Sequence, residues 1–232
     1  MATTDVDQHL FRELSKRWQK RFSVSEPDWA EIALFRSLNV ANAAASLPGG
    51  TEATIHDFGR GIALWVSAFE ILVHPGPSGQ ANKARVLDLI ALAPWRYRNL
   101  TELVHKVQMS RSSSRMVAAP GFLYDQLYRA RNRFLHGEPV DWTDLHSSTG
   151  HPLLGVAPIL FSMALRAFLG IGSSPEIPDD KREFSVEDLA EALCQSMEIN
   201  EMPNLFGSAV LAVQQTPDQL EEERRSRRRR RR

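Results

Sequence analysis

Apolar side chains recur along most of this chain at three- and four-residue intervals, the spacing that gathers them on one face of a helix. Leu10, Phe11, Leu14, Trp18 and Phe22 form such a stripe with Lys and Arg between them, which predicts an amphipathic helix from about residue 5 to residue 22. Ser25-Glu26-Pro27-Asp28 reads as the next helix start, with Ser25 as its cap and Pro27 in the first turn, where the missing N–H has no partner to lose. That helix carries Trp29, Ile32, Phe35 and Leu38, thins into alanines that suit close packing, and stops at Pro48-Gly49-Gly50.

Between Thr54 and Val73 the apolar positions cover nearly every face, so this helix belongs at the centre of a bundle. Glu70 is embedded in it. Either a neighbouring helix end or an arginine satisfies that carboxylate, or it pairs specifically with Arg131 and holds it in place. His74 to Gly79 is a loop by composition, Ala81 to Leu92 a helix, and Leu100 to Val107 another. Ser110-Arg111-Ser112-Ser113-Ser114-Arg115 reads as a polar connection. A helix follows from Tyr124, closed by Gly137 with Pro139 behind it, then a loop through Asp141 to His146, then a long apolar helix opening at His151-Pro152. Residues 170–180 are rich in Gly, Ser and Pro and read as a linker; Ser185 opens an amphipathic helix to about Met197. No sustained period-two alternation and no hairpin dipeptide between apolar runs is found, so the expected fold class is all-α.

Charge changes this picture in one respect. The chain has 28 basic and 28 acidic residues, but from Thr216 onward eight arginines face four acids, leaving 20 basic against 24 acidic residues in the remainder, a net of −4. Bulk charge therefore does not draw nucleic acid to the body of the protein, and any such contact is local. The arginine block reads as a disordered basic tail. A polar start without an apolar signal core, and no apolar run approaching about 20 residues, predict a cytoplasmic protein with no membrane partner. The single cysteine, Cys194, excludes an internal disulfide and reads as an inert packed thiol. No metal-ligand spacing, Gly-rich phosphate loop or Gly-x-Ser-x-Gly motif is present, so neither metal nor cofactor is expected.

The dense chemistry lies between Tyr124 and Gly137. On a helical projection centred on Leu127, Leu123, Tyr124, Tyr128, Ala130, Phe134 and Leu135 share one broad arc, and Arg131 falls inside it. A guanidinium among core positions needs a partner, because an unpaired buried charge costs several kcal/mol. Arg129, Asn132 and His136 lie on the opposite side, Asn132 and His136 stacked four apart. Imidazole exchanges a proton near neutrality, and arginine grips phosphate bidentately, so an Arg, Asn and His set has the means to cleave a phosphodiester without metal.

The run Leu127-Tyr128-Arg129-Ala130-Arg131-Asn132-Arg133-Phe134-Leu135-His136-Gly137 closely resembles the signature of the HEPN family, an Arg followed after four to six residues by His. It looks most like the Apea-like branch, in which an apolar helix containing Ala-Phe-Glu, here Ala68-Phe69-Glu70, precedes the motif; the resemblance covers roughly Thr54 to Leu169. It implies a HEPN-like helical bundle over residues 51–170, with an N-terminal helical extension (1–50), a C-terminal helical appendage (171–215) and the Arg-rich tail (216–232). It implies a metal-independent endoribonuclease of toxin, antiphage or RNA-processing type. Its partners would be RNA, a second copy apposed through the motif helix, and a cognate inhibitor or antitoxin. Carried over residue by residue, His136 would be the general acid and base, Arg131 the phosphate-binding group, and Asn132 the orienting residue. Arg129 and Arg133 would bind substrate, and Glu70 and Tyr128 would support the set. Arg129 also satisfies the motif spacing; Arg131 is preferred because Asn132 follows it and it sits on the packed arc, where an apposed subunit would reach it. Family members that only bind nucleotides, RNA or partner proteins make a non-catalytic helical module the alternative.

Overall fold

The helix that organises the chain starts with two residues that satisfy each other. Thr54 Oγ1 accepts from the Asp57 backbone N–H at 3.4 Å, an N–H it shares with the Thr54 carbonyl at 3.0 Å, and Asp57 Oδ2 accepts from the Thr54 N–H at 3.0 Å, closing a capping box. In this computed structural model, which describes residues 7–47, 53–95, 98–102, 104–147 and 152–172, the elements run α1 (Gln8–Ser23), α2 (Trp29–Ala45), α3 (Ile55–Leu72), α4 (Lys83–Ala91), α5 (Arg98–Glu102), β1 (Val104–Gln108), β2 (Ser114–Ala118), α6 (Ala119–Leu135), a 3-10 turn at Trp142–Leu145, and α7 (Leu153–Leu169). The linker after Gly172, the helix expected from Ser185, the arginine tail and Cys194 lie outside the described residues.

Helix α3 is central, as its all-round apolar character requires: it packs against α2, α6 and α7. Phe69 meets Tyr124 of α6 at 5.1 Å between ring centroids and Phe161 of α7 at 5.3 Å, and Trp65 meets Phe161 at 5.6 Å. These rings bind three helices at one level, each contact adding of order 1 kcal/mol beyond the area it buries. On the other side Ser37 of α2 donates to the Ala68 carbonyl at 2.7 Å, a buried hydroxyl that finds its partner in the neighbouring backbone. Leu34, Ala41 and Ala44 of α2 belong to the same buried cluster as Ile62, Leu127 and Leu160.

Small residues let the helices approach. A Cβ at Gly59 would fall 2.4 Å from the Phe134 ring near the end of α6, and one at Gly61 would fall 2.8 Å from Leu154 of α7. Helix α1 is attached from outside. Asp7 caps it through the His9 and Leu10 N–H groups, pairs with Arg166 in the last turn of α7, and Arg17 reaches Glu31 of α2 at 2.5 Å.

The structure corrects the all-α expectation: the described residues are mostly helical with a small two-stranded sheet. The predicted helix from Leu100 to Val107 ends at Glu102, and the polar connection after it supplies the turn and the first two residues of the second strand of an antiparallel hairpin in which His105 faces Val117 and Lys106 faces Met116. Met109 and Ser110 both donate to the Ser113 carbonyl, at 2.9 and 3.2 Å, and close that turn. His105 and Val107 point inward while Val104, Lys106 and Gln108 point out, so the alternation is real but buries a histidine. That imidazole stacks on Phe122 at 4.4 Å, its Nε2 unpartnered, and burial pulls its pKa below the usual histidine range. Two boundaries also shift. Asp28, not Ser25, precedes α2, and α6 begins at Ala119, directly off β2, with Pro120 tolerated in the first turn.

The Gly59 contact predicts a coupled pair. Gly59→Val alone lowers the unfolding free energy by about 1–3 kcal/mol through overpacking. Combined with Phe134→Leu it costs less than the two single changes added, which urea denaturation of the four proteins checks.

Candidate functional site

Helix α6 ends by backbone geometry. Gly137 takes φ +68°, its N–H donates to Phe134 O at 3.3 Å, and the Glu138 N–H reaches back to Arg133 O at 3.0 Å, a Schellman closure followed by Pro139. His136 is therefore the last residue before the reversal. Its backbone N–H bonds Asn132 O at 2.9 Å; its side chain is exposed and has no hydrogen-bond or ion-pair partner among the described residues.

One turn earlier sits the arginine that fell on the packed arc. Arg131 Nη2 lies 3.4 Å from Glu70 Oε2, Nη1 lies 2.9 Å from Asn132 Oδ1, and its guanidinium carbon stands 5.9 Å from the Tyr128 ring centroid. Glu70 and Arg131 side chains are 20% and 22% exposed, so the pair is half shielded and reachable from solvent. Burial raises the Glu70 pKa above the usual carboxylate range, and the attraction of Arg131 only partly offsets this. Arg131 Nε is buried without a partner, as is the Tyr124 hydroxyl, whose pKa burial, then Glu70 and Tyr128, drive well above that of free tyrosine.

A second polar cluster occupies the outer side of α6. Asp125 is fully buried and pairs with Lys83 at the start of α4; Arg129 Nη2 approaches its other oxygen at 2.8 Å, close enough for an ion pair but without hydrogen-bond alignment. Lys83 also donates to the Gln108 carbonyl at 2.7 Å and lies 5.4 Å from the Tyr128 ring. Arg133 is engaged elsewhere: it pairs with Asp144, lies 3.5 Å from Glu138 and donates to Pro139 O at 2.6 Å, fastening the segment after α6 to the 3-10 turn.

Of the residues singled out in the sequence, Glu70, Tyr128, Arg131 and Asn132 come together. Arg129 joins the Asp125 pair and Arg133 the 3-10 turn, while no hydrogen bond, ion pair or ring contact links His136 to Arg131. Leu135, placed on the packed arc, is 60% exposed, next to His136 at the open end of the helix. Asp125, Lys83 and Tyr124 were not singled out. Asp125 lies on the polar side of the helical projection, yet it is fully buried beside Lys83 of α4, 42 residues away in the chain. Among the described residues no group of three or more His, Cys, Asp and Glu side chains is placed to hold a metal ion. Comparison of the chain with protein-family models, curated proteins and solved structures gave no match.

Two stability outcomes follow from these charges. Asp125→Ala leaves the Lys83 ammonium, 10% exposed, without its carboxylate and lowers the unfolding free energy by about 3 kcal/mol; adding Lys83→Met returns part of the loss. Because the folded state raises the Glu70 pKa, the stability this residue gives is complete below its unfolded value near 4.5 and is lost as pH rises through the folded value. Denaturation across that range therefore finds Glu70→Gln gaining on the wild type as pH rises toward neutrality. A Glu70→Gln protein that instead loses stability relative to the wild type over that range would show the Arg131 attraction to be the larger effect.

Proposed function

We propose that this chain is a HEPN-type, metal-independent endoribonuclease whose active centre forms between two copies. The observation that carries this is the division of labour at the end of α6: Arg131 is held by Glu70 and Asn132, while the His136 imidazole is exposed and unengaged at the Schellman turn. Four residues lie between them and set them about 140° apart on a helix, so one chain does not present both to one phosphate, whereas two apposed α6 ends do. The exposed Leu135 beside His136 supplies an apolar contact for that apposition.

In this centre the 2′-hydroxyl of RNA attacks the adjacent phosphorus, and the 5′-oxygen of the next nucleotide leaves. One His136 takes the 2′ proton, and the second copy's gives a proton to the leaving oxygen. Arg131 holds the non-bridging oxygens as negative charge grows on them. The products are a 2′,3′-cyclic phosphate and a 5′-hydroxyl. Asn132 orients the Arg131 guanidinium, Tyr128 backs it, and Arg129, 55% exposed, meets the flanking phosphate. Toxin, antiphage or RNA-processing roles, with a cognate inhibitor as partner, suit such an enzyme.

A non-catalytic module that binds RNA, a nucleotide or a partner protein is the second reading. It is favoured by one fact: Arg129, Arg131 and Arg133 each already face a carboxylate, with which any phosphate must compete.

Incubation of purified protein with mixed RNA in EDTA separates the two. Wild type cleaves, and His136→Ala and Arg131→Ala each lose about a hundredfold or more in rate. Mixing wild type with an excess of His136→Ala suppresses cleavage, because a mixed dimer holds only one of the two imidazoles the step uses. Equal cleavage by all three proteins, or RNA binding by the wild type without cleavage, sinks the nuclease.

A further inference from the structure

Helix α1 shows more apolar surface than a peripheral helix needs. None of its residues is fully buried; Leu10 and Leu14 pack on the core, while Phe11, Trp18 and Phe22 are 60%, 54% and 55% exposed. Trp18 and Phe22 stand 4.1 Å apart between centroids, and Trp18 meets Phe35 of α2 edge-on at 5.2 Å, so these three rings form one aromatic surface, with Phe11 two turns earlier on the same face of α1. Around it the helix is basic: Arg12, Lys16, Arg17, Lys20 and Arg21 stand against Glu13 alone. Lys16 is paired with Glu13 and Arg17 with Glu31, but Arg12 and Lys20 have no ion-pair partner among the described residues. A contiguous aromatic stripe with unbalanced cations is a docking face for something apolar and acidic.

The chain itself carries a stretch of that chemistry. From Phe184 to Ile199 it has four acids, Glu187, Asp188, Glu191 and Glu198, and no Lys, Arg or His. Val186, Leu189, Ala190, Leu193 and Met197 recur at i, i+3, i+4, i+7 and i+11, and the exposed rings of α1 recur at i, i+7 and i+11. The apolar run from Val186 to Met197 and the ring run from Phe11 to Phe22 each extend over eleven positions, about 17 Å as helix. The exit point is also right. Arg166, in the last turn of α7, pairs with Asp7 at the cap of α1, so the described chain leaves α7 beside the start of α1. Residues 173–183, eleven in number, span up to about 36 Å, which brings all of α1 within reach.

We propose that the stretch from Phe184 to Ile199 docks along the exposed Phe11, Trp18 and Phe22 stripe of α1 in the same chain, its acids facing Arg12 and Lys20. This surface is separate from the end of α6, so the docking and the nuclease stand or fall independently.

Cys194, the single cysteine, directly follows Leu193 and accepts a small thiol-reactive fluorophore such as bimane, which tryptophan quenches on contact. In the full-length labelled protein the probe is quenched to the same degree at every protein concentration, and added salt weakens the quenching. Trp18→Phe relieves it, and Trp142→Phe does not. Leu189→Asp, which leaves α1 and the label intact, relieves it as well. An unquenched probe, quenching that survives Trp18→Phe or Leu189→Asp, or quenching that grows with concentration and so assigns the face to a second copy, overturns the proposal. A lipid surface is tested with phosphatidylserine vesicles and unlabelled full-length protein. Docking in the chain makes Leu189→Asp bind them more strongly than the wild type, because α1 is uncovered. Weaker binding by Leu189→Asp, which would put Leu189 itself in the lipid and not on α1, overturns it.

Discussion

A carboxylate with no exposure to water anchors the working helix. Asp125 sits in α6 at a position that helical geometry would send to solvent, and it is kept there by Lys83, whose ammonium also holds the last carbonyl of β1 at Gln108. One lysine thus joins the start of α4, the end of β1 and the first half of α6. Such a charge is tolerated only while its partner is in place, since the cost of drying it exceeds what a bare cavity returns. The hairpin and α4 are in this sense the lid that makes α6 a two-sided element. Its apolar face lies on α3 and α7, and its polar face lies under α4 and the sheet until the helix emerges near Arg129.

Beyond that point α6 changes character. Tyr128 receives two cations, Lys83 from the anchoring cluster and Arg131 from the exposed end, so the ring stands where the structural and the chemically open parts of the helix meet. Glu70 reaches the same place from α3, and the Tyr124 hydroxyl lies among these charges with no partner of its own. Phe134, pressed against the Cα of Gly59, fixes how close the last turn stands to α3. The guanidinium of Arg131 is therefore positioned by both helices at once, through a charge and through a steric contact.

How much of this is readable in the chain differs from element to element. The helices are legible because their apolar residues recur with the helical period, and the Glu70 and Arg131 pairing is legible because each is a charge stranded on an apolar face. Gly137 announces the end of α6 through its type and the proline behind it. The hairpin escapes notice for physical reasons. Its strands are five residues long, one inward position is His105, and the turn between them is a methionine, three serines and an arginine without a hairpin dipeptide. The Asp125 and Lys83 pair leaves no local trace, because 42 residues separate its members and the projection of α6 alone assigns Asp125 to water. Periodicity describes what an element does with one neighbour, and α6 has neighbours on both sides.

The Schellman closure at Gly137 has a consequence for which changes the chain tolerates. Since α6 stops at a left-handed residue and not where its apolar pattern fades, the interval from Asp125 to the reversal is fixed at twelve residues, about 3.3 turns. Inserting one residue between them would rotate everything downstream by about 100° and carry Arg131 off Glu70 or Arg133 off Asp144. Inserting one after Gly137 would only lengthen a loop. The helix is thus a vernier with both ends clamped, and length variation in this region belongs on the far side of the glycine.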